Sequence, residues 1–213
     1  MSNDILLTDI SGGRATLTLN RPDVHNAFDD ALINRLTSEL QALDSNPDVR
    51  AVVLASLGKS FPAGADLKRM QRIADYSEAE NLTDAEALAD LMTTLNGLSK
   101  PTIAGIQGAP FGGGVGLIAC CDMAIASKEA RFTISEVKLR LIPAVISAYV
   151  VAAIGERQAR RYVLSAERFV ATEAHRIGLV HFVVALEVLD AVVDDLVQAI
   201  CSNGPEAVAE AKI

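Results

Sequence analysis

The segment Gly108-Ala109-Pro110-Phe111-Gly112-Gly113-Gly114-Val115-Gly116 constrains this chain more than any other. It follows an apolar run, Pro101 to Gln107, that reads as a buried strand. It precedes Leu117 to Cys121, which reads as the apolar face of a helix. Five glycines in nine positions add no packing mass. They let the backbone turn sharply and let another group approach it closely. At a strand-to-helix junction such a loop presents backbone N–H groups at the positive end of a helix. The matching chemistry is an anion, or a carbonyl oxygen that becomes one.

The rest of the chain bounds that reading. Its 213 residues suffice for one domain with a sizeable core. Half are hydrophobic, but aromatics are only 4% and Trp is absent, so the core must be built from Ala, Val, Leu and Ile. The formal net charge of −8 argues against nucleic-acid binding, which needs a basic footprint. No apolar run is long enough to span a bilayer. Met1-Ser2-Asn3-Asp4 lacks the basic and apolar regions of a signal peptide. Three cysteines, Cys120, Cys121 and Cys201, are an odd count with an adjacent pair. That pattern points away from a disulfide framework and towards a reducing, cytoplasmic setting.

Ile5 to Ile10 and Arg14 to Leu19 read as strands joined in a hairpin at Ser11-Gly12-Gly13. Asp29 or Asp30 can cap a helix carrying Leu32, Ile33, Leu36, Leu40 and Leu43 at helical spacing, which Asn46-Pro47 ends. Ala51 to Ala55 is a continuous apolar strand. Gln71 to Asn81 is polar and acidic and reads as a mobile region, with a helix from Asp84 to Leu95. Met123 to Ala126 reads as a short strand, and helices dominate from about Pro143, with Val188 to Ile200 strongly apolar on one side. Strands alternating with helices predict an α/β fold with mainly parallel crossovers.

Two loops follow buried strands: Gly58 to Asp66, and the glycine loop. Parallel strands gather their C-termini on one edge, where ligands bind. One N–H from each loop can converge on a single oxygen and form an oxyanion hole. The same segments also fit two ordinary strand-to-helix turns. Glu136, in Arg131-Phe132-Thr133-Ile134-Ser135-Glu136-Val137, has mostly apolar neighbours. Burial would raise its pKa and suit it to proton transfer; a solvated glutamate opening a helix is the commoner case. His25, His175 and His181 lack metal-ligand spacing, so no metal site is expected. Cys120-Cys121 reads as inert core. Gly112, Gly114 and Gly116 give G-x-G-x-G, with Leu117 where a dinucleotide fingerprint needs its last glycine.

Taken together, five segments resemble the crotonase superfamily, the enoyl-CoA hydratases and isomerases. They are Leu19-Asn20-Arg21-Pro22 with Asn26-Ala27, Ser60 to Asp66, Lys100 to Ala104, Gly112 to Asp122, and Phe132 to Pro143. The resemblance implies a spiral of ββα units, here over residues 1–185. A helical C-terminal region begins over 186–213 and is expected to be truncated. It also implies a homotrimer or hexamer acting on an acyl-CoA thioester, with no cofactor beyond the coenzyme A of the substrate. By resemblance, the thioester oxygen lies between the N–H groups of Ala65 and Gly113. Val24, Ala63, Asp66, Leu67, Lys68 and Gly116 fall where the family contacts substrate or CoA, and Glu136 is the acid/base.

The departures carry equal information. Hydratases with two catalytic glutamates carry the first at the second position after the triple glycine, which is Gly116 here. Only the second, Glu136, is present. The expected activity is that of a hydro-lyase adding water to a 2-enoyl-CoA. The alternatives are an enoyl-CoA isomerase using Glu136 alone and a non-catalytic CoA-binding protein. The run Gly112 to Leu117 with Cys120-Cys121-Asp122, then Ile142-Pro143-Ala144, is similar to hydratases of branched, carboxylated enoyl-CoAs, the methylglutaconyl and carboxygeranoyl types. Arg140 replaces a glycine common in the family; an arginine there can pair with an acyl carboxylate or lie on the surface, and the surface is favoured.

Overall fold

Strand β1 (Leu6–Ser11) turns back into β2 (Arg14–Leu19) as an antiparallel hairpin, with Gly12 and Gly13 at positive φ in the turn. Every later strand of the sheet runs parallel to β2. These are β3 (Ala51–Ser56), β4 (Thr102–Ile106), β5 (Met123–Ser127) and β8 (Phe182–Val184), in spatial order β1-β2-β3-β4-β5-β8. A computed structural model describes residues 4–73 and 75–212, excluding the side chains of Leu67 and Lys68.

The continuous apolar character of β3 has a direct cause, since the strand is covered on both faces. Val52 and Leu54 face a large core shared with α1 (Asp30–Asp44), α3 (Glu78–Asn96), α4 (Gly113–Cys120) and α5 (Ser147–Ser165). Ala51 and Val53, with Ile103 and Ile125, face the opposite side. There Leu189, Val193 and Val197 of α7 (Leu189–Cys201) cover them. The helix expected at Val188 to Ile200 therefore lies flat on the sheet.

Helix α1 starts where its cap predicts, with the Asp29 carboxylate accepting from Leu32 N–H at 2.9 Å. Where a mobile region was expected before Asp84, most of the described residues are helical. Residues Leu67–Ile73 form α2, and α3 begins at Glu78 behind a capping box of Ser77 and Glu80. Arg69, 4% exposed, pins α2 by pairing with Asp30 at 3.0 Å and Asp84 at 2.6 Å. A second small sheet pairs β6 (Arg131–Phe132) with β7 (Phe169–Val170), followed by α6 (Ala171–Arg176). The chain then ends its described part in α8 (Pro205–Ala211), which Lys212 ties to Asp122 at 2.9 Å. No helix is long and apolar enough to cross a membrane among the described residues.

Candidate active site

The loops after β3 and β4 leave the same edge of the sheet and run side by side. Phe61 N–H donates to Gln107 O at 2.8 Å, and Phe111 N–H donates to Pro62 O at 3.2 Å. A Cβ at Gly114 would stand 2.0 Å from Pro62 O, so the close approach of the two loops depends on glycine there.

Phe28 joins them from a third segment. Its N–H donates to Gly64 O and its carbonyl accepts from Asp66 N–H, both at 2.8 Å. Those two bonds straddle Ala65 and leave its N–H directed away from Phe28. The Phe28 ring, 1% exposed, packs beneath Gly113, with Cε2 3.2 Å from where a Cβ would stand. Gly113 is the first residue of α4, so its N–H has no place in the helical ladder. Among the described residues neither the Ala65 nor the Gly113 N–H donates to a backbone carbonyl.

The segment carrying Glu136 reaches the loop by backbone pairing. Gly112 N–H donates to Thr133 O at 2.9 Å, Thr133 N–H to Pro110 O at 3.3 Å, and Phe111 bridges Thr133 in parallel. A 3₁₀ turn over Glu136–Leu139 then folds the glutamate back over Gly112. Gly112 has φ 48° and ψ −116°, a conformation that favours glycine, and a Cβ on it would stand 3.0 Å from Glu136 Oε1. Glu136 Oε2 is buried and accepts no hydrogen bond among the described residues. Burial pushes the Glu136 carboxyl above the ordinary carboxylate range, and its own N–H and that of Ser135 partly oppose the rise.

The other residues singled out from sequence divide between the loop and its supports. Ala63 donates its N–H to His25 O at 3.1 Å, and Val24 is exposed in the turn Pro22–Val24. Asp66 is 7% exposed and its carboxylate pairs with Arg21 at 3.1 Å, so that side chain braces the Arg21 segment. The side chains of Leu67 and Lys68 lie outside the described residues. Gly116 is buried inside α4, one turn on from Gly112, whose carbonyl accepts its N–H at 3.2 Å. Arg140 is exposed, as favoured, and has φ 61°, the left-handed region that suits glycine. Burial pushes the thiol of Cys120, a core residue, up to about 12, and raises that of half-buried Cys121 as well. Among the described residues no cluster of three metal-ligating side chains occurs.

Sequence reasoning missed Phe28 and Ile146. Phe28 follows Asn26-Ala27 directly, and only its burial shows that it joins both loops. Ile146 lies at the start of α5, and nothing in its spacing from Gly116 signals their contact.

Residues 9–213 match the family model for enoyl-CoA hydratase/isomerase. The chain belongs to the enoyl-CoA hydratase/isomerase family. An enoyl-CoA hydratase from Shewanella pealeana superposes with a TM-score of 0.95 at 44% identity, over 98% of this chain and 78% of that one. An enoyl-CoA hydratase of Mycobacterium smegmatis gives 0.94 at 34% identity, over 99% and 81%. By sequence, enoyl-CoA hydratase ACTT6 of Alternaria alternata is 36% identical over 94% of this chain and 66% of its own length. Membership of the enoyl-CoA hydratase/isomerase family agrees with the expected fold, in which the mostly parallel sheet delivers both loops to one edge.

Within this family member, the position of the missing first glutamate is closed. A Cβ on Gly116 would lie 2.3 Å from Ile146 Cγ2, 2.9 Å from Ile146 Cβ and 3.3 Å from Met92 Cε. Ile146 is itself 2% exposed. Glu136 is thus the carboxylate that lies against the glycine loop at Gly112.

Proposed function

We infer that this protein is a hydro-lyase that adds water across the double bond of a 2-enoyl-CoA. The observation that carries the reading is the placement of the Glu136 carboxyl over Gly112, directly beside the unladdered Gly113 N–H. In this reading the Ala65 and Gly113 N–H groups hold the thioester oxygen. Addition at C3 drives negative charge onto that oxygen, and preoriented donors stabilise the enolate more than the thioester. Glu136 takes a proton from water as the water oxygen bonds C3, and delivers a proton to C2. The C2–C3 π bond is replaced by one C–O and one C–H bond, and no redox partner is needed. A carboxyl whose pKa lies above the ordinary range suits a group that must both accept and return a proton. The reaction needs no cofactor beyond the coenzyme A of the substrate.

A second reading is supported by the closure of Gly116 by Ile146. A single carboxylate is sufficient to move a proton between C2 and C4, which converts a 3-enoyl-CoA into a 2-enoyl-CoA. Incubation with a 2-enoyl-CoA and with a 3-enoyl-CoA in ¹⁸O-labelled water separates the two. Label in a 3-hydroxyacyl product is the expected result. Bond migration without label supports the isomerase, and CoA-ester binding without turnover overturns both.

A further inference from the structure

Hydration by a single carboxylate leaves one task unassigned. The water must be held over C3 while Glu136 handles its proton, and the position from which a second carboxylate would hold it is closed by Ile146. Another polar group must therefore reach the same face of the glycine loop.

Ser135 reaches it. Its Oγ stands 3.5 Å from the point where a Gly112 Cβ would lie, and Glu136 Oε1 stands 3.0 Å from that same point. Two oxygens on adjacent residues thus face the same side of Gly112, a side left without a side chain because residue 112 is glycine. Ser135 also occupies the N-cap position of the 3₁₀ turn Glu136–Leu139, where a serine ordinarily bonds the turn's own N–H groups. Here the hydroxyl makes no capping bond. It is only partly buried, whereas Glu136 Oε2 beside it is buried and accepts no hydrogen bond among the described residues. A hydroxyl both donates and accepts, so it can fix a water's orientation without competing for its proton.

We propose that Ser135 Oγ is the group that positions the reacting water, with Glu136, in place of a second carboxylate. This rests on the hydratase reading above. Water binds between Ser135 Oγ and the Glu136 carboxylate, and Glu136 alone carries the proton. Removing the hydroxyl should damage addition at C3 and spare proton exchange at C2.

The test compares wild type and Ser135→Ala in two assays. One is ¹⁸O incorporation from labelled water into the hydration product of crotonyl-CoA. The other is exchange of the C2 hydrogens of butyryl-CoA in D₂O, which needs the backbone donors and Glu136 but no added water. The expected result is a fall in hydration of about tenfold or more, the effect of a lost orienting contact, with C2 exchange within about twofold of wild type. Equal losses in both assays, or no loss in either, overturn the role of Ser135 while wild-type hydration leaves the hydratase reading standing. A wild-type protein that exchanges C2 hydrogens but incorporates no ¹⁸O overturns the hydratase reading itself, and this proposal with it.

Discussion

Ile146 occupies the space that any side chain at Gly116 would need, its Cγ2 2.3 Å from the position of a Cβ there. A methyl at 116 gains roughly 1 kcal/mol of helix propensity, yet must displace a branched, buried side chain. Overpacking of this kind costs about 1–3 kcal/mol. Gly116→Ala should therefore lower stability in urea unfolding despite the better helix former. In an Ile146→Ala background the same change should be neutral or stabilising, giving a coupling energy within the ~0.5–3 kcal/mol range of contacting pairs. Strict additivity would show that the two residues do not compete for space.

Glu136→Gln preserves the shape of the side chain and removes its titration. Turnover of a 2-enoyl-CoA should fall by about 10² or more, with acyl-CoA affinity retained. Wild-type turnover in this variant would eliminate Glu136 as the proton carrier.

The same variant has a stability signature with a definite sign. The folded-state pKa of Glu136 is raised by burial. Between the unfolded and folded values the native state binds more protons, so stability falls as pH rises through that window. Glutamine does not titrate. Glu136→Gln should melt higher than wild type above the folded pKa, and the gap should close as pH drops below the ordinary carboxylate range. A gap independent of pH would mean the gain comes from packing instead.

Gly113 opens α4, and the first helical position tolerates proline because its N–H is not used by the helix. Gly113→Pro thus removes the donor at little cost to the helix. Activity should be lost, by about 10² or more for an oxyanion donor, with the far-UV circular dichroism unchanged. Gly113→Ala keeps the N–H but brings a Cβ within 3.2 Å of the Phe28 ring, so it measures crowding alone and should lose much less.

Arg140 pays for a left-handed backbone with a bulky side chain, at φ 61°. Arg140→Gly should stabilise the protein by about 1 kcal/mol, seen as a raised melting temperature. If instead affinity for carboxylated acyl-CoA esters drops while simple ones bind unchanged, the arginine has a ligand.

Much of this was legible in sequence because periodicity and capping act locally. Asp29 announces α1, and the two-sided burial of β3 is written in Ala51 to Ser56. The glycine loop was identifiable as candidate chemistry from residue type, and Glu136 from its apolar neighbours and the family resemblance. The start of α3 was misjudged because its Ser77–Glu80 capping box stands in a stretch whose overall polarity suggests disorder, and because Arg69 ties this region to Asp30 of α1 as well as to Asp84. The closure of Gly116 was not legible, since the contact with Ile146 joins residues on different helices and leaves no pattern along the chain.

Phe28 clasps Ala65 through its backbone and Gly113 through its ring, so the two N–H groups that the proposed function uses as donors acquire their relation only when three distant stretches of chain have met. Such non-local closure comes late in folding, after its loop entropy has been overcome. Ligand affinity is then a gauge of completed folding: a partly folded chain, however rich in helix and strand, holds no oriented pair of donors. An acyl-CoA that requires both should bind the native state alone and raise the unfolding midpoint with the logarithm of its concentration.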